Sequence, residues 1–293
     1  MSPIHNRFLE RLSQAQRDKN SIAVLGVDPQ LDTAAIPGVP PGYTLARFCC
    51  EIVEACAPHV IAIKPQLAFF EARGLAGLEA LREVIALARK LNLVTIADAK
   101  RGDIGSTSAA YAEAFLGDGD FGCDAVTVNP YLGSDAIMPF IAKVKAGRGL
   151  FVLVKTSNPS SGEFQDLEAA GGGRLWEKIA ARVHGWGAEF ARPDGFSPVG
   201  AVIGATYPEH ARRARELMPQ AIILVPGYGA QGASAPDSIA AARADGSGVI
   251  VNASRSLMYA YTGQVGASPG EAAAQAAASM RQALNDALLK AKG

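Results

Sequence analysis

Residues 93–103 read LVTIADAKRGD, an apolar run that ends in a dense group of charged side chains. A short apolar run bounded by polar residues is typical of a buried β-strand. Side chains alternate along a strand, so Asp98 and Lys100 are predicted to project from the same side. Asp103 follows Gly102, which lets the chain turn. Two carboxylates around one ammonium group keep the lysine protonated and place charge where a ligand could meet it.

Seven further runs along the chain have the same apolar character. Most are nearly continuous apolar stretches, as expected of parallel strands that are covered on both faces. The predicted strands are Ile22–Asp28, Val60–Lys64, Leu93–Asp98, Ala125–Val128, Leu150–Lys155, Val199–Gly204, Ala221–Val225 and Gly248–Val251.

Segments rich in Ala, Leu, Glu and Arg separate these runs and predict helices. The predicted helices are Leu45–Ala57, Leu75–Leu91, Thr107–Leu116, Asp135–Lys145, Leu175–Ala191, Pro208–Met218 and Pro236–Ala244. An extra helix is expected near Ile4–Arg17 and a final one near Gly270–Ala291. Eight βα units favour a (β/α)8 TIM barrel of the α/β class, forming one domain over residues 1–293. An open doubly wound sheet is the alternative.

The composition describes a globular chain without a dominant charge. Hydrophobic residues make up 49% and charged residues 19%, and 28 basic side chains balance 28 acidic ones. This composition argues against disorder and gives no overall field that would favour nucleic acid. The four cysteines form no C-x-x-C pair, which favours reduced thiols. No signal-peptide block or membrane-spanning run is evident, so we expect a cytoplasmic protein that binds no membrane.

Polar side chains stand at the predicted carboxyl ends of the strands, where barrel active sites are built. Lys64 ends the second predicted strand, so in a closed barrel it points to the same mouth as Asp98, Lys100 and Asp103. A structural ion network at the rim is the alternative, but buried ion pairs contribute little stability. The four alternating charges therefore predict a catalytic group.

The loops after the seventh and eighth strands predict a phosphate site. Barrels commonly hold phosphate there. Residues 226–232 read PGYGAQG, and glycines such as Gly229 let backbone N–H groups approach an anion. Arg255 could bind phosphate through two parallel hydrogen bonds, and a helix beginning after it would add a favourable dipole. Tight turns alone are the alternative for the glycines.

Two further segments are consistent with either a site or a turn. Asp28 precedes Pro29 at the end of the first strand, where a carboxylate could accept hydrogen bonds from a sugar diol. Ser157 lies in KTSNP (155–159), where it could contact a ring or satisfy local backbone groups. No spacing of His, Cys, Asp or Glu indicates a metal cage, so we predict no metal or cofactor.

In their order along the chain, these motifs make it resemble the orotidine 5′-monophosphate decarboxylases. The segment 98–103 fits D-x-K-x-x-D, followed by Ile104 and Thr107, in the D-A-K-R-G-D-I form of the longer bacterial, type 2 branch. The supporting segments are VKTSN (154–158), GATYP (204–208), PGYGAQG (226–232) and Arg255. The resemblance spans nearly the whole chain.

The resemblance implies conversion of orotidine 5′-monophosphate (OMP) to uridine 5′-monophosphate (UMP) and CO2 in pyrimidine biosynthesis, without cofactor or metal. The implied catalytic tetrad is Lys64, Asp98, Lys100 and Asp103, with Lys100 stabilising and then protonating the C6 carbanion. The implied substrate contacts are Asp28 with the ribose, Ser157 with the pyrimidine, Gln231 between phosphate and base, Arg255 with the phosphate, and Ile104, Thr107 and Gly229. Asp103 and Thr107 would enter the neighbouring subunit's site in a homodimer.

Two other functions stay open at this point. A metal-dependent sugar-phosphate decarboxylase or aldolase of the same scaffold also uses a D-x-K-x-x-D strand end, and metal dependence would identify it. The KTSN segment and Gln231 favour a pyrimidine nucleotide instead. A non-catalytic phosphate-binding barrel is the second alternative, although such a protein has no need of Lys100 between two acids.

Overall fold

Eight parallel strands pair in sequence order and close into a barrel. The computed structural model of the chain describes residues 5–30, 43–229, 232–263 and 266–292. The strands are β1 (Ala23–Val27), β2 (Ala62–Pro65), β3 (Val94–Arg101), β4 (Ala125–Val128), β5 (Gly149–Lys155), β6 (Ser197–Ile203), β7 (Ala221–Pro226) and β8 (Val249–Ala253). Leu25 of β1 lies opposite Ala253 of β8, which closes the ring and excludes the open sheet. All eight predicted strands and the TIM barrel are confirmed.

Helices surround the barrel and connect its strands. They are α1 (Arg7–Lys19), α2 (Leu45–Cys56), α3 (Leu67–Glu71), α4 (Gly74–Lys90), α5 (Gly105–Leu116), α6 (Ser134–Lys145), α7 (Gly162–Gln165), α8 (Leu175–Gly187), α9 (Pro208–Leu217), α10 (Ala235–Ser238), α11 (Arg255–Met258) and α12 (Pro269–Lys292). The expected extra N-terminal helix is α1, and the expected C-terminal helix is α12. No helix among the described residues combines the length and apolar character needed to cross a bilayer.

One helix prediction was wrong in most of its extent. The helix predicted over Pro236–Ala244 ends at Ser238, because a turn follows in which the Arg243 N–H donates to the Ser247 carbonyl at 2.9 Å. The helix expected after Arg255 is the single turn α11, so it supplies little of the predicted dipole. The short helices α3 and α7 were not predicted, since four or five residues carry no periodic pattern.

The apolar residues form two cores. One lies between the strands and the surrounding helices, and the other fills the interior of the barrel. Phe8 of α1 belongs to the interior core and packs edge-on against Phe151 of β5, with ring centroids 5.9 Å apart. The Phe8 N–H donates to the carbonyl of Gly147, just before β5. Helix α1 therefore closes the amino-terminal end of the barrel, and any ligand must enter at the opposite end.

Candidate active site

A cavity of about 750 Å³ opens at the carboxyl ends of the strands. Strand order alone brings these ends together, because every strand is parallel and successive strands are neighbours. Six of the predicted site residues line this cavity: Asp28, Lys64, Asp98, Lys100, Ser157 and Arg255. The barrel thus gathers residues that are separated by more than two hundred positions in the sequence.

Asp98 lines the cavity and is 5% exposed, and its carboxylate accepts several hydrogen bonds. Lys64 donates a short hydrogen bond to its Oδ2, and Lys100 donates to its Oδ1 at 2.5 Å. Two neutral donors complete the arrangement: Gln66 Nε2 at 3.1 Å from Oδ2 and Thr127 Oγ1 at 3.1 Å from Oδ1. Four donors hold the carboxylate in one orientation, with an ammonium group on each of its oxygens.

The charges of this group determine its protonation. Burial by itself would raise the pKa of Asp98, but the neighbouring ammonium groups of Lys64 and Lys100 outweigh it and lower that pKa to about 2. Burial by itself would lower the pKa of Lys64, yet the carboxylates of Asp98 and Asp28 raise it. The acid is therefore ionised and Lys64 is protonated at neutral pH, as a charge-stabilising site requires.

Lys100 differs from Lys64 in exposure and in backbone conformation. Its side chain is 43% exposed, whereas that of Lys64 is 5% exposed. Its φ of 49° lies in the left-handed region, which is unfavourable for a residue with a Cβ. Its N–H donates to Thr127 Oγ1 at 3.0 Å, and β3 loses regular pairing with β4 between Ala97 and Arg101. With this distorted backbone, the Lys100 side chain lines the cavity, where a ligand can reach it.

Two buried oxygens in the cavity lining are unsatisfied. Neither Asp28 Oδ1 nor Asn252 Oδ1 has a hydrogen-bond partner among the described residues. Unpaired buried acceptors are rare in folded proteins, so each calls for an explanation, and a ligand that supplies the donor is one. The Asp28 N–H contacts Met258 Sδ at 3.0 Å, which fixes the loop after β1 against α11. Both side chains therefore suit a ligand with hydroxyl or N–H donors.

The loops after β7 and β8 form the far side of the cavity. Gly227, Tyr228 and Arg255 line it, and Arg255 is exposed. Gly229 has a φ of 74°, so the turn requires a residue without a Cβ there, although Gly229 itself is not in the lining. Gln231 lies outside the described residues.

Besides Gly229, three further predicted residues do not line this cavity. Asp103, Ile104 and Thr107 lie at the turn from β3 into α5. Asp103 Oδ1 accepts a hydrogen bond from the Ile104 N–H at 2.7 Å, and Ile104 is 55% exposed. Thr107 is exposed as well. Within one chain, none of these three residues reaches the cavity lining, and Asp103 is partly buried.

The structure also adds residues that the sequence did not indicate. Gln66 and Thr127 line the cavity, and both bond Asp98 directly. Thr127 lies within an apolar strand and carries no motif. Gln66 follows β2 directly, and its position just past a predicted strand end was the one available signal. Within the described residues, no group of three or more His, Cys, Asp or Glu side chains could hold a metal ion.

Comparison with known proteins agrees with this geometry. The model of the family described as "Orotidine 5'-phosphate decarboxylase / HUMPS family" matches residues 31–275. The chain is 44% identical to the orotidine 5′-phosphate decarboxylase of Rhodopirellula baltica, over 87% of this chain and 89% of that protein. It is 42% identical to that of Deinococcus radiodurans, over 96% and 98%. The solved structure of Leishmania donovani OMP decarboxylase superposes with a TM-score of 0.77 at 33% identity, covering 97% and 99%.

The structure is a closed (β/α)8 barrel, and at its mouth one carboxylate is held between two ammonium groups. This arrangement defines a TIM-barrel enzyme with a charged active site. The chain belongs to the orotidine 5′-phosphate decarboxylase / HUMPS family.

Proposed function

We propose that this protein decarboxylates OMP to UMP and CO2, a reaction of pyrimidine biosynthesis. The observation that carries the proposal is the Lys64–Asp98–Lys100 group at the barrel mouth. Curated relatives with identities of 44% and 42% over most of the chain have this activity in their names. The sugar-phosphate alternative and the non-catalytic alternative have no comparable support.

Lys100 is the proposed catalytic acid. When the bond between C6 of the pyrimidine and the carboxylate breaks, the electron pair stays on C6 and CO2 leaves. An ammonium group already fixed beside that carbon stabilises the developing charge without reorganisation. Lys100 then transfers a proton to C6, which gives UMP, and solvent reprotonates the amine. Its 43% exposed side chain can reach both substrate and water.

Lys64 and Asp98 set the position and the charge of the site in which Lys100 acts. The ionised Asp98 accepts from both lysines and so fixes the Lys100 ammonium relative to the substrate. The carboxylate of Asp98 would also lie near the substrate carboxylate, and their repulsion is relieved when CO2 leaves. Lys64 neutralises Asp98, which keeps the pocket from carrying an unpaired buried charge.

The remaining lining residues orient the nucleotide. The unsatisfied Asp28 Oδ1 suits a ribose hydroxyl, and Ser157 on the rim suits the polar edge of the pyrimidine. Arg255 binds the phosphate, together with backbone groups of the turn around Gly229 and with Gln231 between phosphate and base. Holding the phosphate far from C6 lets remote binding energy position the reacting carbon.

We further propose a homodimer in which two chains share each site. Asp103, Ile104 and Thr107 do not line their own cavity, which suits residues that complete a neighbour's cavity. Exposed apolar side chains stand on the adjacent β4–α6 segment, where Tyr131 is 81% and Met138 is 48% exposed. Large apolar side chains in such positions suit burial against a second chain, as contiguous apolar patches at interfaces do. Asp103 and Thr107 would complete the partner's site, with Ile104 at the substrate.

The activity is tested by mixing the purified protein with OMP in excess EDTA and following loss of the orotate absorbance. We expect the band to disappear and UMP to form. Lys100→Ala should reduce kcat by about 10⁴-fold or more while the circular dichroism spectrum stays unchanged. No loss of absorbance, with turnover of a sugar phosphate only when Mg²⁺ is added, would establish the metal-dependent alternative. Nucleotide binding without any turnover would establish a binding protein.

Shared sites are tested by mixing two inactive variants. Lys100→Ala and Asp103→Ala each disable every site of their own homodimer. Subunit exchange at equal concentrations makes half of the dimers mixed, and each mixed dimer regains one native site. We therefore expect about one quarter of wild-type activity. A mixture that stays inactive after proven exchange would place Asp103 in its own chain's site.

A cytoplasmic location completes the proposal. The four cysteines are free thiols, and three of them are buried. Free thiols are usual in a reducing compartment. Cell fractionation followed by immunodetection tests the location, and recovery in an extracellular fraction would contradict it.

A further inference from the structure

Lys155 is a buried ammonium group that the proposed mechanism does not use. It ends β5 at the mouth of the barrel and is 2% exposed, yet it does not line the cavity. Its Nζ lies 2.8 Å from Asp166 Oδ2 and 3.5 Å from Ser161 Oγ. Both partners belong to the connection from β5 to α8. An ion pair thus ties the middle of this connection to the strand end.

The residue next to Asp166 holds the rim of the active site. Gln165 Oε1 accepts from the Thr156 N–H at 2.9 Å, and its Nε2 donates to Thr156 Oγ1 at 2.7 Å. Thr156 Oγ1 donates in turn to Asn158 Oδ1 at 2.7 Å. Residues 156–158 all line the cavity. The ion pair at Asp166 therefore sets Gln165 opposite the segment that contains Ser157.

The end of β6 supports the same segment from the other side. The Gly204 N–H donates to the Lys155 carbonyl at 2.8 Å. A Cβ added at Gly204 would lie 2.7 Å from the Ser157 Cβ, so Ser157 can occupy its position only against a glycine. Ser157 is thus held between β6 and the β5–α8 connection.

Stability alone does not account for this ion pair, in which the lysine is buried and the carboxylate is partly buried. Removing two charges from water offsets much of their attraction, and well-packed apolar residues often stabilise as much. The hydrogen bond and the charge of Lys155 lower the pKa of Asp166, and Arg174 Nη1 lies 3.6 Å from its Oδ1. Asp166 is therefore ionised at neutral pH and can fix the geometry through charge.

We propose that Lys155 and Asp166 are positioning residues, which act through Gln165 and Thr156 to hold Ser157 against the pyrimidine. The inference rests on the proposed decarboxylation of OMP. Neither residue touches substrate. Misplacing a contact by about an ångström can reduce catalysis by up to about 100-fold.

The first test compares Lys155→Met with Arg11→Met. Arg11 forms a comparable buried ion pair with Asp124, next to the amino-terminal ends of β3 and β4 and far from the cavity. Both variants should lower the unfolding midpoint. Lys155→Met should also lower kcat/KM for OMP by about 10- to 100-fold and weaken UMP binding in calorimetry, whereas Arg11→Met should leave both unchanged. Equal kinetic effects, or none in Lys155→Met, would overturn the proposal.

The second test is a double-mutant cycle with Ser157→Ala. If Lys155 acts through Ser157, the loss of kcat/KM in the double variant should not exceed that of the more impaired single variant by more than about twofold. Additive losses would assign Lys155 a purely structural role. Gln165→Leu leaves the ion pair intact and should reproduce the kinetic loss with little change in the unfolding midpoint. Wild-type protein without OMP turnover would instead reject the proposed function, and calorimetry with UMP would then decide the positioning role.

Discussion

Lys100 donates to Asp98 Oδ1 at 2.5 Å from a backbone with a φ of 49°, so the central ion pair of the site is made by a residue in an unfavourable conformation. In a regular strand Lys100 would have a negative φ, and its side chain would leave the backbone in a different direction relative to Asp98. The hydrogen bond from the Lys100 N–H to Thr127 Oγ1 holds the distorted backbone. Backbone strain of this kind is characteristic of functional sites, where surrounding contacts enforce it.

The strain predicts a difference between two inactive variants. Lys100→Ala and Lys100→Gly both remove the ammonium group, but only glycine adopts this φ without a steric penalty. We expect Lys100→Gly to be more stable than Lys100→Ala by about 1 kcal/mol in denaturant unfolding. Equal stability, or a more stable alanine variant, would mean that the conformation carries no strain.

Asp98 predicts an acid-dependent loss of stability. Its pKa of about 2 in the folded protein lies below the ordinary value of 3.8, so the unfolded state binds more protons between these values. Stability from this group is complete above about pH 4 and is lost as the pH falls toward 2. The contribution is about 2 kcal/mol. Asp98→Asn should lack this part of the pH dependence when unfolding free energies are compared, and an unchanged dependence would contradict the depressed pKa.

Arg255 predicts a substrate-dependent defect. If its guanidinium binds the phosphate, Arg255→Ala should lower kcat/KM for OMP by about 10- to 100-fold, the loss expected for a charge-assisted hydrogen bond. Orotidine lacks the phosphate, so its slow turnover should change by less than about twofold. Arg255→Lys serves as a control that keeps the charge and should lose less. Equal losses on both substrates would reject the phosphate role.

Replacing Arg215 is expected to lower the stability of the fold without affecting catalysis. Its guanidinium donates to the carbonyls of Ala241, Ala221 and Gly248 at 2.7–2.8 Å and is largely buried, which lowers its pKa to about 10. Arg215→Met leaves these acceptors without their charged donor and should lower the unfolding free energy by about 2–4 kcal/mol. The exposed Arg212 on the same helix provides the control, since Arg212→Met should change stability by less than about 0.5 kcal/mol. Similar losses in both variants would contradict this account.

The sequence predicted the barrel because its strands are apolar runs with clear polar boundaries. β4 was predicted with both ends correct, and the other strands differ by three residues or fewer at either end. The helix predicted over Pro236–Ala244 failed because alanine content favours a helix only where backbone groups are free to form one. Here the Arg243 N–H bonds the Ser247 carbonyl, and its guanidinium lies 3.8 Å from the centre of the Phe196 ring. Tertiary contacts outweighed local propensity.

The sequence by itself determined which charged groups stand at strand ends, because Lys64, Asp98 and Lys100 interrupt apolar runs at positions that any parallel barrel brings to its mouth. Only the tertiary structure decided how these groups bond. Thr127 on β4 and Gln66 just after β2 complete the Asp98 site. Thr127 carries no local signal, and Gln66 has only its position past a strand end. The left-handed backbone of Lys100 and the ion pair between Lys155 and Asp166 likewise depend on contacts between different segments. Local patterns fix where a strand ends, whereas hydrogen-bond partners depend on which ends the closed barrel makes neighbours.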